Sequence, residues 1–273
     1  MVDLDLNYEL VATFIVNFIH ENVLSNGFKK VVLGVSGGID SATVLDLAVK
    51  ALGKENVYGL IMPYKLSSRE SIDDAVMLSQ LYGTSYEKIP ITDVADAYFS
   101  KLKITDKMRI GNFLSRIRMA ILFDKAREVD AIVAGTSNKS ELMLGYSTWY
   151  GDMAAGMYPI GDLYKTQVFG LGKYLRLPQK IVDKKPTADL WPGQTDEDEL
   201  GAPYCVLDSI MFLLLDERKT EEEIIQLGYD ESIVKNAVKR IYGTQFKRTL
   251  PPTPKISSRT LGSDFQYPHD IMK

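Results

Sequence analysis

The sequence has one cysteine, Cys205, in 273 residues. A single thiol excludes an intrachain disulfide and a cysteine-rich zinc site, so the composition suits a reducing compartment and the fold must hold by packing. Basic excess is missing too, with 32 Lys and Arg against 36 Asp and Glu and a net charge of −4. That balance argues against an extended, non-specific nucleic-acid surface and leaves room only for a local basic pocket. No apolar run approaches the ~20 residues of a membrane-spanning helix. The N-terminus, MVDLDLNYEL, carries three acids and no basic stretch. It therefore reads neither as a secretory signal nor as a transit peptide, and the expected compartment is the cytoplasm. Internal repeats and low-complexity tracts are absent.

What is present is an ordinary globular composition, 45% apolar and 25% charged, with 20 Gly and 11 Pro. It excludes disordered, collagen-like and coiled-coil classes. The length fits one α/β domain, or a domain with a short appendage. Leu6, Leu10, Phe14 and Phe18, with Val11, Ile15 and Ile19 beside them, predict an amphipathic helix with one apolar face. Residues 31–35 form a β-branched run that ends at Ser36-Gly37-Gly38, as a buried parallel strand does. A helix from Ser41 to about Leu52 follows. Further strands are expected at 57–62, 86–91 and 131–134, with helices at 68–82, 94–102 and 111–129 between them. This βαβαβαβ order predicts an α/β fold with a doubly wound parallel sheet, whose ligands bind where strands end.

After residue 160 only helices are expected, at about 165–176, 203–216, 221–227 and 231–245. The expected organisation is therefore a single domain over 1–273. It comprises a parallel-sheet core at about 26–160, a helical C-terminal appendage at about 161–250, and an extended tail at 251–273 marked by Pro251, Pro252 and Pro254. The stretch Asp189–Gly201 lacks periodicity and reads as a mobile loop.

The sharpest local signal is Gly34-Val35-Ser36-Gly37-Gly38-Ile39-Asp40-Ser41, between strand and helix. Glycines that reach positive φ let backbone N–H groups approach an anion, Ser36 and Ser41 add hydroxyls, and the helix N-terminus adds a favourable dipole. Asp40 repels bare phosphate, so a carboxylate here makes sense where it holds Mg²⁺ against phosphate oxygens. A glycine turn with an Asp or Ser N-cap is the plainer reading. The loop matches neither GxxxxGK[ST] nor GxGxxG.

Three more segments carry chemistry. Gly135-Thr136-Ser137-Asn138-Lys139-Ser140-Glu141 begins where a strand ends. It offers Thr136 to a nucleotide and Glu141 as a second metal carboxylate, and Asp152 follows in a glycine-flanked turn. Taken singly, Glu141 is equally a solvated helix acid and Asp152 a turn former. Lys165 falls at a helix start, where the dipole disfavours a cation unless an anion stands nearby. It is a triphosphate contact or a surface lysine. Thr187, in Pro186-Thr187-Ala188-Asp189, is a cap or turn residue, or one that reaches nucleotide when the loop closes.

SGGxDS resembles the PP-loop of the N-type ATP pyrophosphatases. Together with GTSNKSELMLGYSTWYGD, PIGDLYKTQ and PTADLWPGQTDEDELG it resembles the ammonia-dependent NAD synthetases over roughly residues 5–255. The resemblance implies an adenine nucleotide alpha hydrolase-like fold and an ATP- and Mg²⁺-dependent C–N ligase. Such a ligase adenylates the nicotinate carboxylate of deamido-NAD and amidates it with ammonia, releasing AMP and pyrophosphate. Carried over residue by residue, Gly34, Val35, Ser36, Gly37, Gly38, Ile39, Asp40, Ser41, Thr136, Lys165 and Thr187 resemble ATP contacts. Asp40 and Glu141 resemble Mg²⁺ ligands. Arg116, Trp149, Asp152, Phe246 and Lys247 correspond to deamido-NAD contacts, and Asp152 is the expected proton acceptor from the attacking amine. Three positions depart from many relatives, with Trp149 for Lys, Gly156 for Asp and Phe246 for His.

The family is typically homodimeric, with an interface that helps form the deamido-NAD site. The N-terminal apolar stripe suits that burial, and intramolecular packing explains it equally well. Alternatives are a PP-loop enzyme that adenylates tRNA, disfavoured by acidity and the solitary cysteine, and a non-catalytic nucleotide sensor. Neither nucleic acid nor membrane is an expected partner. A length of 273 residues accommodates a synthetase domain without a fused glutaminase, so free ammonia is the expected nitrogen source. Cys205 reads as a small packing residue.

Overall fold

The computed structural model describes residues 1–187, 189–191 and 193–260. Four parallel strands, β1 (Lys30–Gly34), β2 (Val57–Ile61), β3 (Ser85–Lys88) and β4 (Ala131–Val133), form one sheet in the order β3-β2-β1-β4. β1 is central, with Val31 beside Val57 on one side and Ile132 on the other. Helices α1 (Tyr8–Ser25), α2 (Ile39–Leu52), α3 (Arg69–Tyr82), α4 (Thr92–Leu102) and α5 (Lys107–Val129) surround these strands. The two faces of β1 feed different cores because side chains alternate along a strand. Val31, Leu33 and Val35 enter a cluster with Ile19, Leu45 and Leu78, whereas Val32 joins Leu60, Phe99 and Leu114 on the opposite face. Each fully buried Val, Leu or Phe contributes about 1.5–3 kcal/mol of transfer free energy, which makes this two-sided sheet the rigid part of the molecule.

After β4 the described residues form helices α6 (Lys139–Leu144), α7 (Lys165–Tyr174), α8 (Gln179–Val182), α9 (Asp196–Leu200), α10 (Tyr204–Leu215), α11 (Glu221–Gln226) and α12 (Glu231–Gly243), with no further strand. A third apolar cluster, including Leu144, Leu207, Ile210, Val234 and Ile241, packs α6, α10, α11 and α12 together. α7 lies against α2 and α10 and so joins this helical layer to the sheet.

Several expectations change. The N-terminal stripe divides: α1 buries Ala12, Ile15, Ile19 and Val23 against the sheet layer, while Leu10 and Phe14 are 66% and 73% exposed. α2 begins at Ile39, so Asp40 stands in its first turn. The stretch read as a mobile loop contains the helical turn α9, capped by Thr195, whose side chain accepts the Asp198 N–H. Cys205 is exposed, because the buried residues of α10, such as Leu207, Ile210 and Met211, leave it on the outer side of the helix. Residues 251–260 have no helix or strand. The rest of the expected tail, 261–273, lies outside the described residues, as does Ala188.

Candidate active site

β1 ends at Gly34 and the chain turns sharply into α2. Gly37 adopts φ +79°, and a Cβ there would stand 2.4 Å from the Ser71 carbonyl oxygen, so the turn admits only glycine. Ser36 and Ser41 shape the loop from within. The Ser36 N–H donates to Ser41 Oγ at 3.2 Å, the Ser41 hydroxyl donates to the Gly38 carbonyl at 3.1 Å, and the Gly38 N–H donates to Ser36 Oγ at 3.3 Å. Gly38 caps α2 without a side chain. The helix N-terminus therefore opens onto a cavity of about 770 Å³ lined by Gly38, Ile39, Asp40 and Ser41. Loop amides plus a helix N-terminus make an anion-binding arrangement.

β4 lies beside β1, so the segment that follows it reaches the same cavity. Asn138 and Glu141 cap α6 reciprocally: Asn138 Oδ1 accepts the Glu141 N–H at 3.0 Å, and Glu141 Oε2 accepts the Asn138 N–H at 3.4 Å. Asn138 Nδ2 also donates to Asp40 Oδ1 at 2.8 Å, tying the two loops together. Between them comes Lys165 from the start of α7. It is only 2% exposed, and its Nζ lies 2.5 Å from Asp40 Oδ2 and 3.1 Å from Glu141 Oε1.

The lysine at a helix start thus has its anionic partners within the protein. Behind it, fully buried Asp208 accepts from Ser140 Oγ at 2.6 Å and from the Thr166 N–H at 2.9 Å, and Ser140 Oγ accepts the Lys165 N–H at 2.8 Å. This carboxylate satisfies the α7 N-terminus and sets the lysine's direction. Burial pushes the Glu141 carboxyl up, a rise that Lys165 opposes and Asp40 reinforces. Burial would lower Lys165, but the charges of Asp40 and Glu141 outweigh it and hold the ammonium above its ordinary range.

A further acid, Asp196, heads α9 and is 4% exposed. Its Oδ2 accepts from the Tyr204 hydroxyl at 3.4 Å, while Oδ1 has no hydrogen-bond partner. Among the described residues no three His, Cys, Asp or Glu side chains stand close enough to hold an ion by themselves. Asp40 and Glu141 nonetheless converge on one cation position, filled by the Lys165 ammonium. Two hard oxygen donors beside an anion-binding loop suit Mg²⁺, which commonly takes one or two carboxylates and completes its shell with phosphates and water.

Thr136, Asp152, Thr187 and Lys247 line the same cavity. Asp152 Oδ1 accepts from Ser115 Oγ at 2.9 Å and from the Thr148 N–H at 2.8 Å. The surrounding protein crowds water from its carboxyl and shifts it up, although the residue still opens to the cavity. Thr187 Oγ1 accepts the Asp189 N–H at 3.1 Å, which gives it the turn role, while the residue also lines the cavity. Lys247 Nζ donates to the carbonyls of Gly145 and Ser147, both at 2.8 Å, and so braces the turn that leads to Asp152.

Arg116, Trp149 and Phe246 do not line the cavity. They cluster outside it, with Arg116 Nη2 donating to the Trp149 carbonyl at 3.1 Å and the Phe246 ring meeting Trp149 edge-on at 5.3 Å. Arg116 sits at the edge of the cavity-facing side of α5, between Asn112 and Met119, which line the cavity, and its guanidinium turns instead to the Trp149 carbonyl. Gly156 is explained by space, since a Cβ there would lie 2.3 Å from Ile132 Cγ1.

Arg118 escaped the sequence reading, although its i, i+3 and i, i+7 spacing from Ser115 and Gly111 shows the shared face. Its Nε donates to the Met62 carbonyl at 3.0 Å. Asp196 and Lys184 also line the cavity. Long-range packing places them there; Asp196 lies within the PTADLWPGQTDEDELG segment without being singled out by it, and no local pattern marks Lys184.

The fold and these side chains define a PP-loop-type α/β protein, with an anion loop, two converging carboxylates and a buried lysine at the carboxyl end of a parallel sheet. The family model described as NAD synthase matches residues 11–251, and the chain belongs to that family. It is 46% identical over 268 residues to an NH(3)-dependent NAD(+) synthetase of Chlorobaculum tepidum, covering 98% of this chain and 97% of the relative. Among solved structures, it is similar to an NMN synthetase from Francisella tularensis, with TM-score 0.82 and 33% identity over 92% of this chain and 100% of that one. An NH3-dependent NAD synthetase from Campylobacter jejuni is similar at TM-score 0.79 and 33% identity, with the same coverage.

Proposed function

We propose that this chain amidates deamido-NAD to NAD with ammonia at the cost of ATP cleaved to AMP and pyrophosphate. The observation that carries this reading is Lys165, buried between Asp40 and Glu141 at the mouth of the Ser36–Ser41 loop. The loop amides and the α2 N-terminus bind the departing pyrophosphate portion, and Thr136 and Thr187 contact the nucleotide. Asp40 and Glu141 would hold Mg²⁺ once nucleotide draws Lys165 toward its phosphates, and the ion would offset charge there. Lys165 then stabilises the charge that develops as a nicotinate carboxylate oxygen bonds to the α-phosphorus and the bond to the β-phosphate oxygen breaks. Ammonia attacks the carboxyl carbon of the adenylate, AMP leaves with the bonding electrons, and the nitrogen's surplus proton passes to Asp152. A carboxyl shifted up by desolvation is a better proton acceptor than an ordinary one. Arg116, Trp149, Phe246 and Lys247 form the outer contacts of the dinucleotide. We place the enzyme in the cytoplasm as a homodimer.

A second reading is amidation of nicotinate mononucleotide. It is favoured by the position of Arg116, Trp149 and Phe246 outside the cavity and by the likeness to a structure described as an NMN synthetase. The deciding assay supplies ATP, Mg²⁺ and ammonium with deamido-NAD, nicotinate mononucleotide or tRNA in parallel. NAD, AMP and pyrophosphate in equal amounts are expected with deamido-NAD, and Asp40→Ala removes that turnover while leaving the circular dichroism spectrum unchanged. Faster turnover of the mononucleotide selects the second reading. No turnover above background identifies a nucleotide sensor.

A further inference from the structure

Resting on the amidation reading above, we propose that Arg118 forms a second anion site in the cavity, apart from the loop that receives pyrophosphate, and that it takes an oxygen of the α-phosphate. A guanidinium carries five N–H donors in a rigid fork and no acceptor. Among the described residues one of these donors is used, by Nε toward the Met62 carbonyl at 3.0 Å. Neither Nη nitrogen has a partner among them, although the residue lines the cavity. Asp189 and Asp152 act on Arg118 through their charges, without a hydrogen bond, and they do not make up for burial, which holds the guanidinium below its ordinary range. A buried charge left without a partner is costly, and an anion from outside the chain supplies the missing one.

Helix α5 sets this cation between two parts of the site. One turn before it, Ser115 Oγ donates to Asp152 Oδ1 at 2.9 Å. One turn after it, Leu122 packs at the head of the anion loop, where a Cβ on Gly34 would meet Leu122 Cδ1 at 3.9 Å and Met62 Cε at 3.7 Å. Ser115, Arg118 and Leu122 share one face of the helix, and the seven residues from first to last span about 10 Å. At one end of that span is the proton acceptor, and at the other the loop begins. Between them the substrate carboxylate and the α-phosphate must meet, two anionic groups that repel each other. A cation fixed at this midpoint lowers that repulsion. Lys165 serves the other end, where its ammonium lies between Asp40 and Glu141.

The α-phosphate is the better partner because its charge persists. It exchanges its bond to the β-phosphate oxygen for one to the carboxylate oxygen and then leaves as part of AMP, whereas the carboxylate loses its charge on adenylation. A guanidinium is always protonated and its two Nη groups match the spacing of phosphate oxygens.

The test is calorimetric titration of the full chain with AMP, adenosine and pyrophosphate, comparing the parent with R118Q and R118K. R118Q is expected to weaken AMP at least about 10-fold, with adenosine and pyrophosphate binding as in the parent. R118K recovers part of the loss, because it restores the charge without the fork; it also carries the comparison if R118Q melts well below the parent. Equal losses for AMP and adenosine make Arg118 a brace of the turn at Met62 and overturn the proposal. Loss of pyrophosphate binding alongside AMP shows a distorted loop and overturns it as well. Parental AMP affinity in both variants does the same, and a raised KM for deamido-NAD with that for ATP unchanged then assigns the guanidinium to the carboxylate. If the parent binds neither AMP nor pyrophosphate, the amidation reading fails; if it binds both and the variants match it, only the role of Arg118 fails.

Discussion

Lys165 is a deeply buried charge, 2% exposed, and the partner on which two acids depend. Removing one member of a buried ion pair leaves the others uncompensated, at a cost of about 3–5 kcal/mol. Lys165→Met is therefore expected to lower the free energy of unfolding in urea by that order and to abolish ATP–pyrophosphate exchange. A variant with parental stability would mean that Asp40 and Glu141 do not rely on the lysine. Asp40, Glu141 and Lys165 were legible in the sequence because each sits at a strand-to-helix or helix-start position with a distinctive local motif. Arg116 was legible as an arginine, and the structure sets its guanidinium against the Trp149 carbonyl beside the cavity, since a charged residue on a long helix reveals its type and not its rotation about the axis. Cys205 was misread for the same reason.

At the scale of elements, the segment between α8 and α9 is fastened over the cavity at separate points. Near its start, Lys184 Nζ lies 2.9 Å from Asp74 Oδ2 on α3 and 3.1 Å from Ser71 Oγ. Farther along, Asp189 accepts the Ser68 N–H at 3.0 Å, and Leu190 packs where α5 has Gly111, whose missing Cβ would stand 2.9 Å from Leu190 Cδ1. Burial alone would raise Asp74, but Lys180 and Lys184 hold it below the ordinary range. A depressed carboxylate contributes stability that is complete above its unfolded value of about 3.9 and lost as the pH falls through the folded one. Asp74→Asn is expected to cost about 1–3 kcal/mol at neutral pH, with the gap to the parent closing below about pH 4. Urea denaturation across that range measures it, and a gap that widens in acid would contradict the ion pair. Its hydrophobicity showed no period, because several of its anchors reach distant elements, α3 through Lys184, the α3 N-cap Ser68 through Asp189 and α5 through Leu190.

For the whole molecule, the two-sided sheet and the helical layer meet at α7, so the Lys165 site lies on the seam between them. Apolar side chains remain outside all three cores, notably Leu10 and Phe14 on α1 and Val94 and Leu102 on α4. Their exposure accords with a second copy of the chain covering part of this surface. Light scattering at micromolar protein is expected to give twice the mass of 30.6 kDa, whereas an active monomer would exclude the homodimer. By itself the sequence determined the parallel α/β order and the glycine turn after β1, because period-two and period-3.6 hydrophobicity and glycine punctuation are local properties; the roles of Asp40 and Glu141 toward a metal came from the family resemblance. Only the tertiary structure decided that Lys165 lies between those carboxylates, that Asp196 lines the same cavity, and that Arg116 and Trp149 stand beside it. Those facts depend on which strand neighbours which and on how each helix is rotated, and both are set by packing between residues far apart in the chain.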